Sequence, residues 1–292
     1  MTALTDPRSK HLRGQFPKDD GTQPGLTEET FPRPDHGEDS YRGTDRLAGR
    51  RALISGGDSG IGRAVAIAYA REGADVAISY LPEEQDDAER TAALVEDAGR
   101  TAVLLPGDVS DEKTAASTVA QAHEKLGGLD LLVLNAAYQK QRDADAGIPT
   151  EEFDRVMRTN LYAPFWMARR ALPLMPAGSS IIVTTSIQAF APSPGLLDYA
   201  MTKAALVAFV QALASQQGPE GIRVNGVAPG PIWTPLIPAT GWPENLPTFG
   251  SDSPLGRAGQ PAELAGAYVY LASEDASYTS GSVLAVTGGK HL

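Results

Sequence analysis

Tyr199 and Lys203 stand four residues apart in "LLDYAMTKAALVAFVQALA", a segment whose other residues are mostly apolar. At that spacing two side chains share one helix face. A phenol with an ordinary pKa near 10 is a poor acid–base group at neutral pH. An ammonium one turn away favours the phenolate and lowers that value. A phenol tuned in this way can give a proton to a carbonyl oxygen as hydride reaches the carbon, and can take one from an alcohol in reverse. Ser186, thirteen residues upstream, ends an apolar run and can hydrogen-bond the same oxygen. An isolated Tyr-x-x-x-Lys is commonly an ordinary helix pair, with a packed tyrosine and a snorkelling lysine. The chemistry therefore depends on the elements around it.

Those elements follow a rhythm that begins at residue 51. "RALIS" reads as a strand, then a glycine-rich turn leads into the helical "GRAVAIAYAREG". "ADVAISY", "RTAVLLPGDV", "LDLLVLNAA", "SIIVTTS", "IRVNGVAPG" and "GSVLAVTGG" read as further strands, with helical segments between them. The strands are short, β-branched and apolar on both faces, as in a parallel sheet covered by helices on both sides. Unbroken alternation of strand and helix predicts one α/β domain over residues 47–292, a doubly wound, Rossmann-type parallel sheet of about seven strands.

"ISGGDSGIGRAVA" lies between the first strand and the first helix. A glycine turn there brings backbone N–H groups and the positive end of a helix up to a pyrophosphate. The spacing is G-x-x-x-G-x-G rather than the general G-x-G-x-x-G, but the strand–turn–helix context is present. The second strand ends in Ser79, Tyr80 and Leu81, so the acid that would accept from an adenosine ribose is missing from the strand end. No Arg or Lys stands there to hold a 2′-phosphate either, and Glu83 and Glu84 follow. On this evidence NAD and NADP are both open.

Composition excludes other classes. The formal net charge is −11 and the pI about 4.9, which disfavours nucleic acid and anionic lipid as partners. With no cysteine there is no disulfide, thiolate metal site or cysteine nucleophile, and the four histidines show no ligand spacing, so no metal is expected. No unbroken apolar run reaches the length of a membrane span, and no secretory signal opens the chain; a cytoplasmic protein is expected. Residues 1–46 are rich in Pro, Gly and charge. They form either a tail or an extended arm packed on the body or on a neighbouring subunit, with Leu12, Phe16, Phe31 and Tyr41 as anchors.

"SGGDSGIG", "GDVS", "LNAA", "MRTNLYAPF", "TTSIQAF", "YAMTK" and "VAPGPIWT" occur in this order over about residues 47–289. This succession resembles the short-chain dehydrogenase/reductase family. With the Pro-rich extension, it is most similar to the bacterial subgroup labelled glucose/ribitol-dehydrogenase-like or general-stress-protein-like. The resemblance implies that Asn160, Ser186, Tyr199 and Lys203 form the catalytic group, with Asn160 holding a water that links Lys203 to solvent. It implies that Gly56, Asp58, Ser59, Gly60, Ile61 and Gly62 cradle the cofactor phosphates, with Ser79 and Tyr80 toward the adenosine ribose. Asp108 and Val109 would meet the adenine, and Asn135 and Ala136 the adenosine-side ribose. Pro229, Gly230, Ile232 and Thr234 would border the nicotinamide, and Lys203 its ribose. Three positions depart from the family pattern: Ala137 and Tyr138 replace the usual Gly after Asn-Ala, Ser55 replaces the opening Thr, and Thr287 replaces an Asp.

The function expected is an NAD- or NADP-dependent oxidoreductase that interconverts a small-molecule carbonyl and alcohol. A sugar or polyol dehydrogenase is the alternative within that class, and a non-catalytic NAD(P)-binding sensor the alternative outside it. Residues 231–257 should order over the substrate as a lid, with Trp233, Leu236, Trp242 and Phe249 as apolar walls. Ser186, Gln188 and Tyr199 are the candidate substrate contacts. "LYAPFWMARRALPLM" and "ALVAFVQALA" are apolar on more faces than one sheet can cover, which predicts a second buried face, and the resemblance implies a homo-oligomer, dimer or tetramer.

Overall fold

The computed structural model describes residues 4–19, 21–142 and 147–292. Seven strands make one all-parallel sheet: β1 (Arg51–Ser55), β2 (Asp75–Tyr80), β3 (Ala102–Pro106), β4 (Leu131–Leu134), β5 (Ser180–Thr184), β6 (Arg223–Pro229) and β7 (Val283–Val286). Their order is β3-β2-β1-β4-β5-β6-β7. The order reverses between β1 and β4, and the crevice outside the carboxyl ends of the strands at such a switch point is where ligands bind. Register is direct, Ser55 opposite Ser79 and Val133 opposite Ile182, so the strand ends carrying the candidate residues form one rim.

The strands form because Val, Ile, Leu and Ala meet apolar helix faces on both sides. One face of the sheet buries Ile54, Val76 and Val133 against α1 (Gly60–Arg71), α2 (Gln85–Asp97) and α7 (Ala262–Ala272). The other buries Leu53, Leu132 and Val183 against α3 (Glu112–Leu126), α5 (Ala163–Ala171) and α6 (Leu197–Gln217). Each buried aliphatic side chain contributes about 1.5–3 kcal/mol before ordering costs. β7 departs from the two-sided reading: it is the sheet edge, and Leu284 is exposed.

The segment read as one helix from Leu161 differs. Helix α4 (Thr150–Met157) runs into α5 through a π turn at Arg158–Tyr162, and Asn160 sits inside that turn. π turns of this kind occur frequently at functional sites. Helix α6 also qualifies the absence of a membrane span. The stretch Pro194–Glu220 has an eighteen-residue window of mean hydropathy 1.4, yet half of that window is buried inside the protein. It is a core helix, apolar because β6 and the α4–α5 bend cover it.

The N-terminal arm packs on the body. Phe16 is buried and stacks on Trp233 at 3.9 Å, and Tyr41 donates its hydroxyl to Glu72 at 2.6 Å. The other two expected anchors fail: Leu12 is 46% and Phe31 74% exposed. Polar contacts hold the arm beside and between its anchors. The Gln15 amide donates to Pro247 O, the Thr27 amide to Asp87, and Asp35 N to Gln260.

Candidate active site

A cleft of about 470 Å³ runs along the rim of the sheet, and nearly every residue the sequence singles out lines it. At its floor the chain leaves β1 through Gly56 and Gly60, both in the left-handed region at φ +62° and +48°. A Cβ on Gly56 would press on Ala136, and one on Gly60 on Thr234, so these glycines keep the cradle open. Gly62 acts differently from expectation. It does not line the cleft, and a Cβ there would fall on the Gly56 carbonyl oxygen. It lets α1 start against the turn. Ser55 joins the neighbouring rim: its Oγ accepts from Asn135 N at 2.9 Å and Ala136 N at 3.2 Å, and the Asn135 amide donates to Ser55 O and Gly56 O.

Tyr199 and Lys203 project from α6 to the end of β5. Both are buried, and the Lys203 ammonium lies 5.4 Å from the Tyr199 ring centre. Lys203 Nζ donates to the Thr184 carbonyl at 2.8 Å. Ser186 lies beside the phenol and caps the following turn through Gln188 N at 3.1 Å. Burial pushes the Tyr199 phenol up to about 12, with the Ser186 hydrogen bond pulling it back, and pushes Lys203 down to about 7. The expected lowering of the phenol by the lysine does not appear; burial and the Ser186 hydrogen bond set the phenol. A dry pocket penalises the charged form of each group.

Asn160 is placed differently from expectation. It lies behind the cleft, fully buried, and its side chain pairs with the Tyr138 backbone, accepting from N at 2.7 Å and donating to O at 2.8 Å. A third contact reaches Thr202. The side chain is engaged in fixing the irregular segment that leaves β4. Gln188 lines the cleft, but its amide holds Ser193 at 2.9 and 2.7 Å. Trp233 turns away from the cleft. It is fully buried between the arm and the segment 237–258, stacked on Phe16, and its Nε1 donates to Pro32 O at 2.7 Å. Leu236, Trp242 and Phe249 do line the cleft.

Sequence reasoning missed the arm as a wall. Gln23, Pro24 and Gly25 line the cleft, and Gln23 Nε2 donates to Gln139 O at 3.2 Å and Ala239 O at 2.8 Å. No local signal marks Gln23; its partners lie more than a hundred residues away. Arg155 also lines the cleft, 4.1 Å above the Tyr138 ring. The glycine cradle, the unpartnered buried Ser79 Oγ and the hydrogen-bonded rim fit a dinucleotide. Asp108, Val109, Asn135 and Ala136 lie along the same cleft, as do Pro229, Gly230, Ile232 and Thr234.

Residues 56–291 match the family model described as enoyl-(acyl carrier protein) reductase. The chain belongs to the short-chain dehydrogenase/reductase family. It is 53% identical over the whole of both chains to a protein named uncharacterized oxidoreductase YghA, from Escherichia coli K12. It is 45% identical to the glucose and ribitol dehydrogenase of Daucus carota, over 94% of this chain and 97% of that one. A short-chain dehydrogenase from Burkholderia cenocepacia, solved in complex with NADP, is 33% identical. It superposes with a TM-score of 0.79 over 84% of this chain and 98% of its own. This short-chain dehydrogenase/reductase is thus an NAD(P)-dependent oxidoreductase.

Proposed function

We propose that the chain interconverts a carbonyl and an alcohol with Tyr199 as general acid and base. One observation carries this reading: the buried Tyr199 phenol and Ser186 hydroxyl sit together in the wall of the same cleft as the glycine cradle. The nicotinamide cofactor, when bound, supplies or accepts the hydride. Ser186 would hold the substrate oxygen and Tyr199 would protonate it. The raised phenol pKa keeps that proton in place until an oxyanion develops. Lys203, close to neutrality at about 7, is in part an ammonium there, and that form steadies the phenolate left behind. Lys203, which lines the cleft, would also hold the hydroxyls of the nicotinamide ribose. Asn160 is a positioning residue that acts through the Tyr138 backbone.

A sugar or polyol is the substrate class that the cleft favours. The cleft lining mixes polar Gln188, Ser193, Asn245 and Asp252 with apolar Leu236, Trp242 and Phe249, a mixture that suits a hydroxylated carbon chain. The relative named for glucose and ribitol supports the same class. Exposed Tyr162 at the end of the π turn, Phe165 on α5, and Leu197 and Met201 on α6 suit a second copy of the chain, as a dimer or tetramer. A cytoplasmic setting, where nicotinamide cofactors are regenerated, goes with this reading.

The test is a panel of sugars, polyols, aldehydes and ketones with both cofactors, read by the absorbance of the reduced cofactor. Tyr199→Phe should lower kcat by roughly a hundredfold or more, with cofactor affinity nearly unchanged. No turnover across the panel alongside tight cofactor binding would favour the sensor instead.

A further inference from the structure

At the far end of the cleft from Tyr199, two carboxyl groups meet beside the end of β2. β2 stands three places from β5 in the sheet. Asp58 comes from the glycine turn and Glu84 from the single turn Pro82–Glu84, and both line the cleft. Asp58 is 1% exposed, and its Oδ2 has no hydrogen-bond partner. The buried Ser79 Oγ is likewise unpartnered. Glu84 is turned inward, accepting the Leu81 amide at 2.9 Å. A buried carboxylate oxygen without a donor is costly, and such an atom in a native wall needs an explanation. A bound ligand with hydroxyl donors provides one.

In a doubly wound sheet this is where the adenosine ribose of a dinucleotide lies, and an acid there accepts from the ribose hydroxyls. The usual place for that acid, the strand end, holds Ser79, Tyr80 and Leu81. On the oxidoreductase reading above, we propose that Asp58, with Glu84 beside it, accepts the adenosine ribose hydroxyls and makes this protein select NAD(H) over NADP(H).

Charge points the same way. Among the described residues lining the cleft, the cations are Arg155, Lys203 and Lys290, and none belongs to β1, β2 or the turns that follow them. Arg63 stands behind the glycine turn, fully buried. It is paired to Asp87 at 2.7 Å and donates to Thr91 and the Asp58 carbonyl; its unpartnered Nη1 is enclosed with it. Burial pushes Asp58 up to about 6 and Glu84 up to about 8, with the Asp87 charge adding to the first and the Asp58 charge to the second. Two crowded carboxyl groups disfavour double ionisation, so the pair holds one proton between them more readily than either group alone would. One anion and one hydroxyl suit a vicinal diol; a 2′-phosphate would set its charge against a buried carboxylate in low dielectric.

Isothermal titration of the full chain with NAD⁺ and with NADP⁺ at pH 7.5 tests this directly. The wild type should bind NAD⁺ at least about tenfold more tightly, in line with the cost of juxtaposed like charges. Asp58→Asn and Asp58→Asn/Glu84→Gln should narrow that ratio at least about fivefold, chiefly by a gain in NADP⁺ affinity. Should the variants fail to fold, the wild-type ratio decides alone. Equal or tighter binding of NADP⁺ by the wild type would overturn the selectivity and leave the oxidoreductase reading standing. An unchanged ratio in a folded double variant would do the same for these two residues. Binding of neither cofactor would sink both.

Discussion

Phe16→Ala tests how the N-terminal arm is held. Phe16 is 2% exposed, stacks on Trp233 at 3.9 Å with 15° between the rings, and meets Phe249 edge-on at 6.4 Å. Truncating a buried Phe to Ala costs about 3–5 kcal/mol, the larger figures where the cavity cannot collapse. Collapse is restricted here, because Trp233 is pinned by its bond to Pro32 and by Ile237, Leu246 and Ala258 around it. The loss should appear locally, since the sheet and its two cores contain no arm residue before Tyr41. Each 1.4 kcal/mol is a factor of ten in an opening equilibrium, so the Gln15 amide, bonded to Pro247 O at 2.7 Å, should exchange roughly two to three orders of magnitude faster. Amides of β4 and β5 should keep their protection. Trp233 should meanwhile gain solvent and shift its emission to the red. Hydrogen exchange resolved by mass spectrometry, with tryptophan emission beside it, checks both. Protection at Gln15 unchanged within about threefold, or a loss spread evenly into β4 and β5, would refute the idea of a locally anchored arm.

Two further outcomes follow from the site. Lys203 falls from 10.5 to about 7 on burial, so between those values the unfolded chain binds more protons and folding stability rises with pH. Relative to Lys203→Met, the wild type should gain stability from pH 7 to 9 with a slope approaching about 1.4 kcal/mol per unit in urea unfolding of the cofactor-free protein; a flat difference would mean an ordinary lysine. Asn160→Ala strips a donor and an acceptor from the buried Tyr138 backbone. It should cost about 1–3 kcal/mol for each group left unpaired and lower kcat more than it raises KM, whereas a stability loss with unchanged kcat would make Asn160 structural only.

The order of strands and helices was legible in the sequence because it rests on local periodicity. β-branched apolar runs at "ALIS", "VAISY" and "LLVL" alternate with amphipathic helices, and any chain so patterned must layer helices on a parallel sheet. Tyr199, Lys203 and Ser186 were legible for a related reason: one helical turn and one strand end fix their relative placement. What tertiary structure alone decided depends on segments far apart in the chain. Trp233 reads as a pocket wall until Phe16, more than two hundred residues earlier, is seen stacked on it. Asn160 reads as the holder of a water for Lys203, and only the fold shows that its side chain, set in the π turn, is spent on the Tyr138 backbone. Gly62 reads as a phosphate contact, but its own turn occupies the space. Asp58 reads in the sequence as part of the phosphate cradle, and Glu84 only as an acid that follows the second strand. Their crowding in one dry corner arises because parallel β1 and β2 lie side by side and bring the turns after them together. Close packing is a property of three dimensions, and pattern along one dimension reports only the part that neighbours in sequence determine.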